Sequence, residues 1–316
     1  MYFTHALLRP PPPTFARGLT AAREGAPDHA RALAQHQAYA AALERCGLAI
    51  SMLPAEPDYP DSCFVEDVAI LTPRGAIITR PGAPSRQGEV ETVAAALRVH
   101  YPALARIMPP GTLDGGDICD ASGHFLIGMS ARTNDEGARQ LAAWLADLGY
   151  SSSTIDIRGV RGLLHLKSGL PHLGDGRVPL TSEIPAGDAL APYEQLVVPD
   201  HERYAANCVR INDRILMAAG YPQVAAMLDR DGYETIALDM HPHWWYFAEA
   251  AFSLVGSIVL GIVVLTQTDS DTNARKAGGV VALALIVGTA LWLIVRYLKW
   301  ITTNFVITSH RLIFRQ

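Results

Sequence analysis

Three groups of charged residues interrupt an otherwise apolar pattern in the first 240 residues. The segment PDSCFVEDVAIL places Asp61, Glu66 and Asp67 just ahead of a strand-like run. GTLDGGDICD sets Asp114 and Asp117 around a Gly-Gly turn, and LLHLKSG puts His165 in an apolar run that reads as a strand. Arg80, Arg86 and Arg132 lie between them. Carboxylates gathered in one pocket suit a planar cation, because a guanidinium offers its N–H groups in a fixed fork and a carboxylate can accept two at once. A histidine can move a proton near neutral pH. Arg86 and Arg132 can take the carboxylate end of the same ligand. Each feature also has a plainer reading. The first acids can form a solvated turn, Asp-Gly-Gly-Asp is a common turn composition, and a histidine in an apolar strand can be a satisfied core residue.

These residues need a scaffold of short strands and helices. HARALAQHQAYAAALERCG reads as a helix stopped at Gly47. LAISML follows as a strand, and VAILT and GAIITR flank a Pro-Arg-Gly turn. EVETVAAALRVHY is amphipathic, with Val90, Val93, Ala94 and Leu97 on one face. Asn134 is a good N-cap for a helix ending at Gly149. QLVVP, NCVRIN, RILMAA and YETIAL supply further strands. The alternation predicts an α/β fold, whose strand-end loops are a common place for a site.

The composition then changes. Tyr246–Thr266 carries one charge, Glu249, and Val280–Trp300 carries only Arg296 and Lys299. Each stretch is long enough to cross a ~30 Å hydrocarbon core as a helix. Trp244, Trp245 and Tyr246 at one edge, and Tyr297 and Trp300 at another, form an aromatic belt pattern. The polar link QTDSDTNARKAGG joins the two spans. Arg296, Lys299, Arg311 and Arg315 behind the second span predict a multi-pass membrane protein with both flanks cytoplasmic. The start MYFTHALLRPPPPTF is not a signal peptide. The closing TTNFVITSHRLIFRQ reads as two β-like runs around a Ser-His-Arg turn. A net charge of -5 and the lack of a basic stripe argue against a nucleic-acid partner. The four cysteines, Cys46, Cys63, Cys119 and Cys208, have no zinc-like spacing.

Taken in order, DSCFVEDVAI, ITRPGAPSRQGEV, LDGGDI, GMSARTNDEGA, LHLKSG and VPDHERYAANCVRIN resemble dimethylarginine dimethylaminohydrolase, of the guanidino-group-modifying superfamily. The resemblance covers nearly all of residues 1–240. It implies a propeller of five ββαβ units around a negatively lined channel, and hydrolysis of N-methylated arginine to citrulline and a methylamine. It assigns the guanidinium to Asp61, Glu66 and Asp67, the orientation of the reacting group to Asp114, and general acid/base work to His165. Arg86 and Arg132 bind the ligand's α-carboxylate in this scheme. The ligand is a small methylarginine or arginine-like molecule, and no metal or organic cofactor is implied.

In that family a cysteine on the last strand attacks the guanidinium carbon. Here the matching pattern stops at Met240, and no cysteine follows Cys208. Cys63 has acidic neighbours, which disfavour its thiolate. The expectation is therefore a dimethylargininase-like domain over 1–240, short of its last strand and without a nucleophile. Two spans follow at about 246–266 and 280–300, within 241–300. The final 301–316 resembles the start of a pleckstrin-homology-like domain, as in bacterial two-span membrane proteins. Two functions follow from this: a tethered amidinohydrolase-like enzyme, or an inactive guanidino-ligand-binding or relic domain.

Overall fold

A computed structural model describes residues 2–20, 26–185, 187–239, 248–267, 273–302 and 311–314. The chain runs β1 (His5–Leu8), α1 (His29–Arg45), β2 (Ala49–Met52), β3 (Ala69–Thr72), β4 (Gly75–Ile78), α2 (Val90–Leu97) and β5 (Leu104–Arg106). It continues with β6 (Ile118–Ala121), β7 (His124–Met129), α3 (Asp135–Asp147), β8 (Ser151–Asp156), β9 (Arg177–Leu180) and β10 (Glu194–Val197). β11 (Val209–Ile211), β12 (Arg214–Ala218), α4 (Pro222–Arg230) and β13 (Glu234–Leu238) come next. The apolar helices α5 (Ala248–Gln267) and α6 (Asn273–Thr302) and the strand β14 (Arg311–Phe314) close the described chain.

Two compact units emerge. One comprises Met1–Ala21, His29–Met240 and Val306–Gln316; the other comprises Ala22–Asp28 and His241–Phe305. The C-terminal strand groups with the first unit.

The first unit repeats one small sheet. In three cases an antiparallel pair is followed by a parallel third strand: β3-β4-β5, β6-β7-β8 and β11-β12-β13. β9 and β10 form a parallel pair, and β1 and β2 pair in parallel with β14 on the free edge of β1. The helices follow from local sequence. Val90, Val93, Ala94 and Leu97 recur at helical spacing and bury one face of α2 against Val68, Ala69 and Ile78. Asn134 caps α3 by accepting from Gly137 N at 2.8 Å. Pro222 opens α4, whose first N–H groups at Gln223 and Val224 donate to the buried Glu202 at 3.1 and 2.8 Å. Apolar clusters fill the space around each sheet.

Three expectations change. His165 does not lie in a strand; it precedes a short 3-10 turn, Leu166–Ser168, because Asp117 accepts the Leu166 N–H at 3.1 Å and so takes it out of any ladder. The polar link between the apolar helices is shorter than read, since α6 already begins at Asn273. The unit expected to be short of its last strand carries β14 beside β1. The first β-like run of the tail and the Trp244–Tyr246 cluster lie outside the described residues.

In the second unit α5 and α6 pack side by side. Ser257 and Thr289 hydroxyls lie 3.5 Å apart, Gly261 faces Ala282 and Ile286, and Arg296 meets Glu249 at 3.2 Å. These contacts run in opposite sequence directions, so the pair is antiparallel. Ala248–Thr266 and Lys276–Leu298 are long and apolar enough to cross a membrane, and only 22% and 6% of these stretches is buried. A core helix of a soluble protein would hide its apolar side chains.

Candidate active site

The candidate side chains stand on short turns that lead into strands. Val65–Val68 carries Glu66 and Asp67 into β3, and Gly115–Asp117 leads from Asp114 into β6. The two turns touch. A Cβ on Gly116 would meet His165 Cγ at 2.7 Å and Asp67 Oδ1 at 2.8 Å, and one on Gly115 would strike the Glu66 carbonyl. The Gly-Gly pair is therefore the condition for bringing three acids and a histidine together.

Asp67, Asp114 and His165 are buried and converge. His165 Nε2 is 4.0 Å from Asp67 Oδ1 and 3.9 Å from Asp114 Oδ2, while Nδ1 is 3.5 Å from Asp117 Oδ1. Burial alone would lower the His165 pKa, but Asp67, Asp117 and Asp114 together raise it to about 9. The imidazole is thus a cation and a proton donor at neutral pH. Burial likewise pushes the other way on Asp67, yet His165 and Arg86 hold its carboxyl below the usual range. Asp114 rises to about 6, through burial and then the charge of Asp67. Its Oδ1 accepts from Gly82 N at 2.8 Å, whereas Oδ2 has no hydrogen-bond partner among the described residues.

Arg86 occupies a different place from the one expected of a carboxylate binder at the mouth of a site. Its guanidinium is buried, donating to Asp67 Oδ2 at 2.8 Å, to Glu89 Oε1 at 2.5 and 3.0 Å, and to Phe64 O at 3.3 Å. It lies 3.9 Å from Asp114 Oδ2. The reason is charge: the buried acids would be far costlier without an internal cation. Arg132 is half-buried, and its guanidinium makes no ion pair among the described residues. Asp61 holds the Leu19 N–H with both oxygens at 3.1 Å. Glu66 pairs with Lys167 Nζ at 2.5 Å. Arg80 donates to Gly111 O at 3.2 Å, a structural contact.

Two further acids join the cluster, neither given a role by the sequence. Asp117 is fully buried, accepts from Ser130 Oγ at 2.6 Å and Thr133 Oγ1 at 2.7 Å, and faces the His165 ring. Its place in the Gly-Gly turn was visible, but its role was not. Glu89, next to the start of α2, is pushed up to about 7 by burial. Nothing in GEVE distinguishes it from a solvated helix-start acid.

Oxygens of Asp67 and Asp114 and a His165 ring nitrogen lie within 4.8 Å of one another. Such a trio can ligate a divalent cation, but the Arg86 guanidinium already supplies positive charge at the same oxygens. A cavity of about 490 Å³ is lined by Glu66 and Lys167 with Cys119, Asp120, Cys208 and Arg210; it does not include Asp67, Asp114 or His165. The Glu66–Lys167 pair therefore lies on the cavity wall.

Over 238 residues the sequence is 43% identical to dimethylarginine dimethylaminohydrolase of Pseudomonas aeruginosa, covering 75% of this chain and 92% of that enzyme. The chain belongs to the dimethylarginine dimethylaminohydrolase family. The homologous enzyme of Streptomyces coelicolor is 36% identical over 237 residues, 74% of this chain and 90% of its own. The Pseudomonas enzyme's structure, a cysteine-to-serine mutant complexed with citrulline, superposes with a TM-score of 0.72 at 42% identity, covering 76% of this chain and 93% of that one. Residues 55–183 match the arginine deiminase family model, and residues 250–316 match that of the bacterial PH domain. The PH-type match takes in nearly all of α5, and α6 and β14.

Against the dimethylargininase frame the cysteines are informative. All four are free and buried. Burial raises the Cys63 thiol far above its ordinary value, despite the opposing charge of Arg86. Burial pushes Cys119 up to about 12 and raises Cys46 as well. Such thiols hold almost no thiolate near neutral pH.

Proposed function

We propose that this chain is a membrane-anchored dimethylargininase relative that binds an arginine-like guanidinium and does not turn it over through any cysteine of its own. The observation that supports this most is the convergence of Asp67, Asp114, Asp117 and a protonated His165, while every cysteine is buried. The relatives' names give the ligand class, methylated arginine and citrulline. In this reading Asp67 and Glu66 accept guanidinium N–H groups, Asp114 orients the reacting nitrogens, and Asp61 closes the pocket. His165 holds the proton a leaving amine would need. Arg132 takes the α-carboxylate, joined by Arg86 only if it leaves Asp67 and Glu89. The step with no residue to perform it is thiolate attack on the guanidinium carbon, and loss of a covalent nucleophile costs several orders of magnitude in rate.

The full chain in nanodiscs should bind L-arginine and N-methylarginine calorimetrically and release no citrulline above background. Cys63→Ser should leave both results unchanged. Robust citrulline release, or no binding at all, overturns the reading.

We also infer that α5 and α6 cross a bilayer as a hairpin with the first unit and the tail cytoplasmic. Their outward apolar side chains and the cations behind the second span support this. The chain should resist alkaline carbonate extraction. A tag placed after Gln316 should be digested in inside-out vesicles and protected in right-side-out ones; the reverse pattern rejects the topology.

A further inference from the structure

The repeating sheet of the first unit defines a vacant role. In β3-β4-β5, β6-β7-β8 and β11-β12-β13 the first strand is antiparallel to the middle one and the third is parallel to it. The first strands are the inner ones: Ala69–Thr72 of β3, Ile118–Asp120 of β6, and Val209 and Arg210 of β11 line the cavity. Two are preceded directly by a short turn, Val65–Val68 and Gly115–Asp117, and β11 follows Asp200–Ala206 after two residues. The β1-β2 pair, like β9-β10, is parallel, as middle and third strands are in the three complete sheets. The inner position beside β1 is filled by β14, antiparallel, with His5 opposite Phe314 and Leu8 opposite Arg311. β14 runs beside β3 and the Val65–Val68 turn that carries Glu66 and Asp67.

We propose that the C-terminal strand, drawn from the PH-type segment, serves in cis as the inner strand of the β1-β2 sheet and steadies the Glu66–Asp67 turn. The role in the site rests on the guanidinium-binding reading; the docking does not. An uncovered edge would leave a row of unpaired N–H and C=O groups on β1. Ala6 and Leu8 are fully buried there and Leu7 nearly so, so solvent does not readily take a partner's place. The occupant is this chain's own tail because the register is continuous over all four residues of β1. The pairing also requires an even number of membrane crossings between β13 and β14, which the two apolar helices provide.

The register names the amides to watch. Ala49 N donates to Thr4 O and Leu53 N to Leu8 O, so even-numbered groups of β1 face β2. Alternation along a strand then turns the His5 and Leu7 amides toward β14. Hydrogen exchange is measured on the full chain in nanodiscs, on a chain cut before Val306, and on Leu312→Pro beside Leu312→Ala. Cutting should speed exchange at His5 and Leu7 at least ~10-fold and leave β7 protected. Leu312→Pro removes the N–H that faces the Leu7 carbonyl, which loosens the pairing and should speed the Leu7 amide, while Leu312→Ala does not. If the cut chain loses protection everywhere, the Leu312 pair decides alone. Unchanged exchange at His5 and Leu7 overturns the proposal, as does protection that fades on hundredfold dilution, which would mean a neighbouring copy donates the strand. Arginine titration of the same samples is read separately, so failure of ligand binding in the intact chain leaves the docking result standing.

Discussion

Replacing Asp67 with asparagine should abolish arginine binding and destabilise the first unit by about 3 kcal/mol, the lower end for breaking a buried ion pair. Asp67 is nearly inaccessible, accepts Gly116 N at 2.9 Å and pairs with Arg86 Nη1 at 2.8 Å. An asparagine oxygen can keep the Gly116 bond, but its NH₂ then faces the Arg86 N–H, donor against donor. The guanidinium remains buried with Glu89 as its close partner, at 2.5 Å. That partner is why the loss stays at the low end. The double variant Asp67→Asn/Arg86→Met separates two causes. It removes the stranded cation with the acid, so stability should recover by more than half while binding stays lost. Urea unfolding followed by exchange at the β6 amides, with calorimetry for the ligand, reads both quantities. A single variant as stable as the parent would show that Arg86 swings readily to solvent, and the cluster would not be the closed charge network described above.

The same residues show where the sequence was informative. Asp67, Asp114 and the glycines between Asp114 and Asp117 stood out only because six segments kept their order; Asp-Gly-Gly-Asp alone is a common turn composition. The convergence itself was not legible. It depends on two turns packed so closely that Gly116 abuts the His165 ring. Arg86 is open to two readings for a physical reason: an arginine near a ligand pocket serves equally as an anion binder or as the counter-ion of buried acids, and one sequence does not show which side it faces. Glu89 drew no reading from the sequence, because its burial comes from the fold and not from its neighbours in the chain. The placement of β14 beside β1 was the least legible feature, although its run already read as β-like. Its partner β1 lies about three hundred residues away, at the opposite end of the chain, and local pattern carries no information about such a pairing. The apolar helices were the most legible, since length and composition alone define them.

Raising the pH from about 6 to above 9 should weaken the first unit, and His165→Gln should remove most of that dependence. His165 binds its proton more tightly in the folded chain, with a pKa of about 9 against an ordinary 6.5. Its contribution is therefore fully present below 6.5 and is lost as the pH climbs through 9. At ~1.4 kcal/mol per tenfold change in proton affinity, the ceiling is about 3 kcal/mol. The neighbouring acids act in other windows. Asp114, at about 6, and Glu89, at about 7, also favour the protonated folded form, so their stabilities fall as pH rises through roughly 4–6 and 4.5–7. Asp67, held low, contributes above its ordinary range and loses that contribution only as the pH drops below it. The interval from 7 to 9 thus belongs mainly to His165. Exchange-derived stability at the β6 amides should fall across that interval in the parent and stay nearly flat in His165→Gln. Equal slopes in the two chains would show that the imidazole is neutral in the folded state, and that the three surrounding carboxylates are balanced by Arg86 alone.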